Sequence, residues 1–120
     1  MKFTINNLNW KIKEVSQEQI KTILNKRRKR KDEDTKNTET RYYGITYHDE
    51  LTVYLDKDLH PDRKKRTLIH ELVHCYIGAY ITHQEKTYDE EMVADIVSNS
   101  YDIIHKIVDK YFNRIDKILK

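Results

Sequence analysis

Arg66-Thr67-Leu68-Ile69-His70-Glu71-Leu72-Val73-His74 carries the pattern H-E-x-x-H within a stretch whose apolar residues recur at helical spacing. Leu68, Ile69, Leu72, Val73, Tyr76 and Ile77 form a wide apolar face, and Pro61 suits a first helical turn, so a helix is predicted from Pro61 to about Tyr80. Residues four apart on a helix share a face, with about 6 Å between them. Two imidazoles so placed, His70 and His74, can reach one zinc ion. Glu71 follows the first of them and can lean over a metal-bound water without binding the metal. Zinc brings the pKa of such a water down, and a neighbouring carboxylate can take its proton during attack on a carbonyl. The plainer account, two surface histidines beside an incidental glutamate, fits poorly with so strongly amphipathic a helix.

A catalytic zinc needs a third protein ligand and an open position. Tyr80 stands ten residues after His70, where one common arrangement would require a histidine, and His83 lies in a polar connection. The next helical segment offers Glu91-Met92-Val93-Ala94-Asp95. Its E-x-x-x-D spacing sets both carboxylates on one face. Glu91 can bind zinc while Asp95 accepts the outer N–H of a ligating histidine and so fixes its tautomer. Ala94 is small enough to let the two helices approach. Glu90 is the rival ligand, although it can instead close a capping box with Thr87. Acids in a first helical turn are also favoured by the helix dipole. Tyr42, Tyr43, Tyr80, Tyr88, Tyr101 and His105 are candidates to stabilise a developing oxyanion, each with packing as its simpler role. Cys75 reads as a small buried hydrophobe.

Outward from these segments, Arg41–Thr46 and Leu51–Leu55 are rich in Tyr, Val, Ile and Thr, and His48-Asp49-Glu50 separates them, so a hairpin is predicted. Part of Phe3–Val15 reads as a strand. Ser16 with Gln19 three residues on forms a capping box for a helix from Gln17 to about Arg28. A second long helix should start after Thr87-Tyr88-Asp89-Glu90 and run nearly to the C-terminus. Residues 26–40 read as a charged, mobile loop. Its opening run, 26–31, is Lys-Arg-Arg-Lys-Arg-Lys: a solvated helix end in the first instance, a nucleic-acid contact in the second.

Composition narrows the class. A chain of 120 residues is one domain, and its one cysteine excludes a disulfide framework. A net charge of +3 is too even to argue for nucleic acid by itself, and 36% charged residues suit high solubility. With no run of 18 apolar residues, no membrane helix is expected, and Met1–Trp10 lacks the apolar stretch of an export signal. A cytoplasmic location follows as the expectation.

Taken together, Tyr43-Gly44-Ile45-Thr46, the run Leu51–Asp58, the stretch Arg66–His74 and the segment Asp89–Asp95 resemble the gluzincin metallopeptidases. The resemblance is closer to small metallopeptidase-like proteins of phages and mobile elements, the ImmA/IrrE type; SprT-like proteins share the general plan. It covers about half the chain. It implies an α+β, minimal zincin-like fold: a small twisted antiparallel or mixed sheet packed on the H-E-x-x-H helix, with a second, C-terminal helix bringing the last ligand. Carried over by position, His70, His74 and Glu91 bind Zn2+, Glu71 is general base and acid, and Asp95 supports a ligand. An edge strand beside the cleft would align an extended peptide, and Leu51–Leu55 is the expected edge. The function so implied is hydrolysis of peptide bonds in a cytoplasmic regulatory protein. The alternatives are a zinc-binding regulator of the same fold without turnover, and a nucleic-acid-associated protein that uses residues 26–31.

Overall fold

The computed structural model describes residues 1–27, 41–81 and 88–119, with side chains as far as 113. The chain opens with two strands where the sequence suggested one. Asn6 and Asn7 have φ of 50° and 64° and turn the chain between β1, Lys2–Ile5, and β2, Leu8–Val15. Asparagine tolerates the left-handed region, and two such residues give the tight turn whose twist suits antiparallel strands. The register sets Ile5 against Leu8 and Phe3 against Trp10.

Ser16 then caps α1, Gln17–Arg27, as expected: its backbone N–H donates to Gln19 Oε1 at 2.9 Å, and Gln19 N–H donates to Ser16 Oγ at 3.2 Å. The predicted loop 26–40 lies outside the described residues except for Lys26 and Arg27, which end this helix. The predicted hairpin is present as β3, Gly44–Tyr47, antiparallel to β4, Thr52–Asp56.

The sheet order is β1-β2-β4-β3, with β2 and β4 parallel and the other pairs antiparallel. This corrects the expectation that Leu51–Leu55 is an edge. That segment forms β4, which is paired on both sides and buried at every residue. Its unbroken Val-Tyr-Leu run suits a strand covered on both faces rather than a half-exposed edge. The edge is β3.

Helix α2, Pro61–Tyr80, starts with Pro61 in its first turn, and His60 Nδ1 accepts from Asp62 N–H at 3.2 Å. Helix α3 spans Glu90–Leu119. Asp89 caps it, with Oδ1 accepting from Met92 N–H at 2.8 Å. The predicted capping partner, Thr87, lies outside the described residues.

One core joins sheet and helices: Phe3, Ile5, Trp10, Ile12, Val53 and Leu55 meet Leu68, Leu72 and Cys75 of α2 and Ile104, Ile107 and Val108 of α3. Leu68 and Leu72 are fully buried, and each such side chain stabilises the fold by about 1.5–3 kcal/mol. This anchors the inner side of α2 and leaves the opposite side, with His70 and His74, facing outward. The α+β architecture of a mixed four-stranded sheet with three helices is that of a minimal zincin-like fold. Among the described residues, no helix is long and apolar enough to cross a membrane.

Candidate metal centre and active site

The helix brings His70 and His74 together as their spacing requires. Their Nε2 atoms are 3.3 Å apart, and the ring planes meet at 77°. A tetrahedral zinc with Zn–N bonds of about 2.0–2.1 Å sets two nitrogen donors about 3.3–3.4 Å apart. The separation of the two nitrogens therefore matches that of two zinc donors, and equally an N–H···N hydrogen bond between the rings. Both rings are exposed, so a metal between them would keep a side open to substrate.

Glu71 lies on the buried side of the helix. It is only 6% exposed, beneath the edge strand. Its Oε1 accepts from Thr46 Oγ1 at 2.8 Å, which satisfies one buried oxygen. Its Oε2 lies 3.9 Å from His70 Nε2, beyond hydrogen-bond reach but beside the imidazole pair. One oxygen is thus held by the sheet, and the other is turned towards the place where a metal would be bound.

Thr46 was not singled out in the sequence. Its role follows from β3 having two faces of alternating residues: Gly44 and Thr46 share the face that meets α2. The approach there is close. A Cβ on Gly44 would stand 2.9 Å from Thr67 Cγ2, 3.1 Å from Glu71 Cγ and 3.2 Å from the Tyr54 carbonyl oxygen. Glycine lets the edge strand lie against the helix at the level of the Glu71 carboxylate. The alternation itself could have paired Gly44 with Thr46, but it does not say which face meets the helix.

Asp56, fully buried at the end of β4, fixes the segment leading into β3. It accepts from Gln17 Nε2 at 2.7 Å, from Arg41 Nε at 2.9 Å and from Asp58 N–H at 2.9 Å, and pairs with Arg41 Nη2 at 2.8 Å. Burial raises the pKa of its carboxyl, but the hydrogen bonds from Asp58, Gln17 and Arg41 outweigh that and hold it below the ordinary carboxylate range. Cys75, on the buried side of α2, has its thiol pushed up to about 12, chiefly by burial and further by the Glu71 carboxylate. It is inert core, as expected.

Glu91 stands exposed in the first turn of α3, with Glu90 beside it. Asp95 is exposed one turn further on, at a small cavity of 180 Å³ that it shares with Tyr76, Met92 and Ile96. Among the described residues, no three His, Cys, Asp or Glu side chains form a group that could hold a metal ion. The structure brings together His70, His74 and Glu71, and among the described residues neither Glu91 nor Asp95 completes a metal-holding group with the histidines. His83 lies outside the described residues.

A cleft of 360 Å³ opens on His70 and Glu71, between residues 41–44 and the first turns of α2. Of the oxyanion candidates, Tyr42 and Tyr43 line it. Tyr101 and His105 instead stack on each other with centroids 4.0 Å apart. A larger groove of 610 Å³ runs between β1, β2 and α3, but none of the candidate catalytic residues lies in it.

Comparison with known proteins returned no match among curated proteins and none among solved structures. A family model, the IrrE N-terminal-like domain of the M78 peptidases, matches residues 28–105. The match spans the edge strand, the whole of α2 and the first half of α3, and so takes in Thr46, His70, Glu71, His74, Glu91 and Asp95. A peptidase family thus coincides with the histidine pair and its buried carboxylate, and the chain belongs to the IrrE N-terminal-like family of metallopeptidases.

Proposed function

We propose that this protein is a zinc-dependent peptidase in which His70, His74 and Glu91 hold the metal and Glu71 is general base and acid. The observation that carries the reading is the 3.3 Å separation of the two Nε2 atoms, the spacing of two zinc donors, with a buried carboxylate oxygen turned towards them. Zinc held there would supply a Lewis acid for the scissile carbonyl and make water a nucleophile at neutral pH. The chain's own residues do the rest. Glu71 takes a proton from the attacking water on Oε2 and passes it to the leaving amine, while Thr46 keeps Oε1 engaged and the carboxylate oriented. Glu91 is assigned as third ligand on its chemistry and its place at the start of α3, and Asp95 as the residue that orients a ligating imidazole. The substrate in this reading is a cytoplasmic regulatory protein.

The test pairs metal content with hydrolysis of a mixed peptide library. The parent should carry about one zinc per chain. Glu71→Gln should keep that zinc and lose hydrolysis by about 10²–10⁴-fold, the range for a general base. Glu91→Ala should lose most of the zinc. Undiminished hydrolysis by Glu71→Gln would refute the mechanism. A second reading, a zinc-binding regulator without turnover, draws on Glu91 completing no metal-holding group with the histidines among the described residues. It predicts zinc in the parent with no hydrolysis by the parent or by either variant.

A further inference from the structure

The cleft that opens on the catalytic carboxylate is walled by arginines. Arg41, Arg63 and Arg66 line it, with Thr67, His70 and Glu71 on its α2 side. The three cations are not equivalent. Arg41 is neutralised by the buried carboxylate of Asp56, with Nη2 2.8 Å from Oδ2. Arg63 lies over the ring of Tyr43, 5.1 Å from its centroid, and has no carboxylate partner among the described residues. Arg66 has none either, and both side chains are exposed. Asp62, their nearest acid in sequence, is 96% exposed and stands 3.9 Å from His60 Nδ1. Among the described residues, these two cations therefore face the cleft without an ion-pair partner, with Glu71 the carboxylate that shares its lining.

Their position relative to the chemistry is set by the helix. Arg66, His70 and His74 stand at i, i+4 and i+8, so the guanidinium row continues the line of the imidazoles, with about 6 Å between successive side chains. An extended peptide advances about 3.3 Å per residue, so that step corresponds to roughly two residues. Tyr43 closes the opposite wall and supports Arg63 from beneath. A guanidinium offers a fork of donors matched to a carboxylate, which an uncharged isostere engages less well.

We infer that Arg63 and Arg66 form a specificity subsite that selects peptides with an aspartate or glutamate about two residues from the scissile bond. The inference rests on the peptidase reading for its meaning, but peptide binding can be measured without turnover.

The test uses the zinc-loaded full chain and internally quenched peptides with Asp or Glu, or the matching Asn or Gln, at each position flanking the cleaved bond. At one position the acidic peptide should be favoured about tenfold in kcat/KM, the effect of one charge-assisted hydrogen-bonded pair. In the double variant Arg63→Gln with Arg66→Gln that ratio should fall to near one, and Arg66→Glu should turn the preference towards lysine. Hydrolysis without an acidic preference, or a preference that survives in the double variant, would overturn the subsite and leave the peptidase reading standing. If the parent hydrolyses no peptide, the peptidase reading fails and binding decides the subsite. Fluorescence anisotropy with Glu71→Gln should show the labelled acidic peptide binding about tenfold tighter than its amide counterpart, with the difference lost when both arginines are also replaced. Equal binding of the two peptides would overturn the inference.

Discussion

Replacing Gly44 by alanine tests a close contact between the edge strand and α2. The added Cβ would lie 2.9 Å from Thr67 Cγ2 and 3.1 Å from Glu71 Cγ. Carbon atoms rest about 3.5–4.0 Å apart, so strand and helix must separate by roughly half an ångström or more. The Tyr54 carbonyl oxygen, 3.2 Å away, belongs to the paired strand and cannot swing aside. Overpacking of this kind costs about 1–3 kcal/mol. Alanine restricts the unfolded chain and returns about 0.4–1 kcal/mol. A net loss of about 1–2 kcal/mol should remain. With a urea slope near 2 kcal/mol per molar, the unfolding midpoint should fall by about 0.5–1 M. Gly78→Ala is the control. A Cβ there would meet the ring of His48 at 2.3 Å, but that side chain is exposed and can turn into solvent. Its loss of edge contact with Trp10, at 5.7 Å, is offset by the better helix propensity of alanine, so stability should change little. Hydrolysis should fall in Gly44→Ala, because Glu71 is pushed, and hold in Gly78→Ala. A Gly44→Ala protein as stable and as active as the parent would show that the strand does not set the carboxylate's position.

Thr46→Val keeps shape and strand propensity but removes the donor to Glu71; it should cost about 1–3 kcal/mol in urea unfolding and lower kcat about tenfold with KM little changed. Asp56→Asn should cost about 1.5–3 kcal/mol at pH 7, since its oxygens accept from charged and backbone donors. Because folding lowers the pKa of Asp56, its contribution is fully present above the unfolded value of about 3.9 and is lost as pH falls through the native value, so parent and variant should converge in urea titrations below that range. Cys75 should react with a thiol-specific disulfide reagent only at the rate of unfolding, since its thiol is both buried and far from ionised; rapid labelling of the native protein would contradict its place in the core.

The parts of the fold legible in the sequence were those fixed by local chemistry. The Ser16–Gln19 cap, Pro61 at the start of α2 and the whole span of that helix depend on residues within a few positions of one another. The same holds for the meeting of His70 and His74. Sheet order is different. Pairing of β2 with β4, which makes Thr52–Asp56 central, joins residues about forty positions apart, and no local pattern states it. The Asn6-Asn7 turn was legible in principle, since two residues that tolerate positive φ between apolar positions mark a hairpin. Glu91 and Asp95 fall between these cases. Their i, i+4 spacing is local, but their distance from the histidines depends on how α3 begins.

The Glu71 carboxylate shows why both kinds of information matter. A glutamate one position after a ligating histidine is rotated about 100° around the helix. On α2 that rotation carries Glu71 off the exposed face and under the sheet edge, where an isolated carboxylate would be costly. Two residues of β3 make the position tolerable: Gly44 by its missing side chain, and Thr46 by its hydroxyl. Both stand on the same face of an edge strand whose approach is fixed in turn by Asp56 and Arg41 just before it. The motif on the helix places the histidine pair and the carboxylate, and the edge strand determines which carboxylate oxygen is left unengaged. In the peptidase reading, a change on β3 should therefore alter proton transfer while sparing metal binding, and a change at His70 or His74 should lose the metal and hydrolysis with it. Comparing zinc content with hydrolysis across Thr46→Val and His74→Ala separates the two: loss of both properties together in Thr46→Val would mean that the strand acts on the metal site as a whole rather than through Glu71.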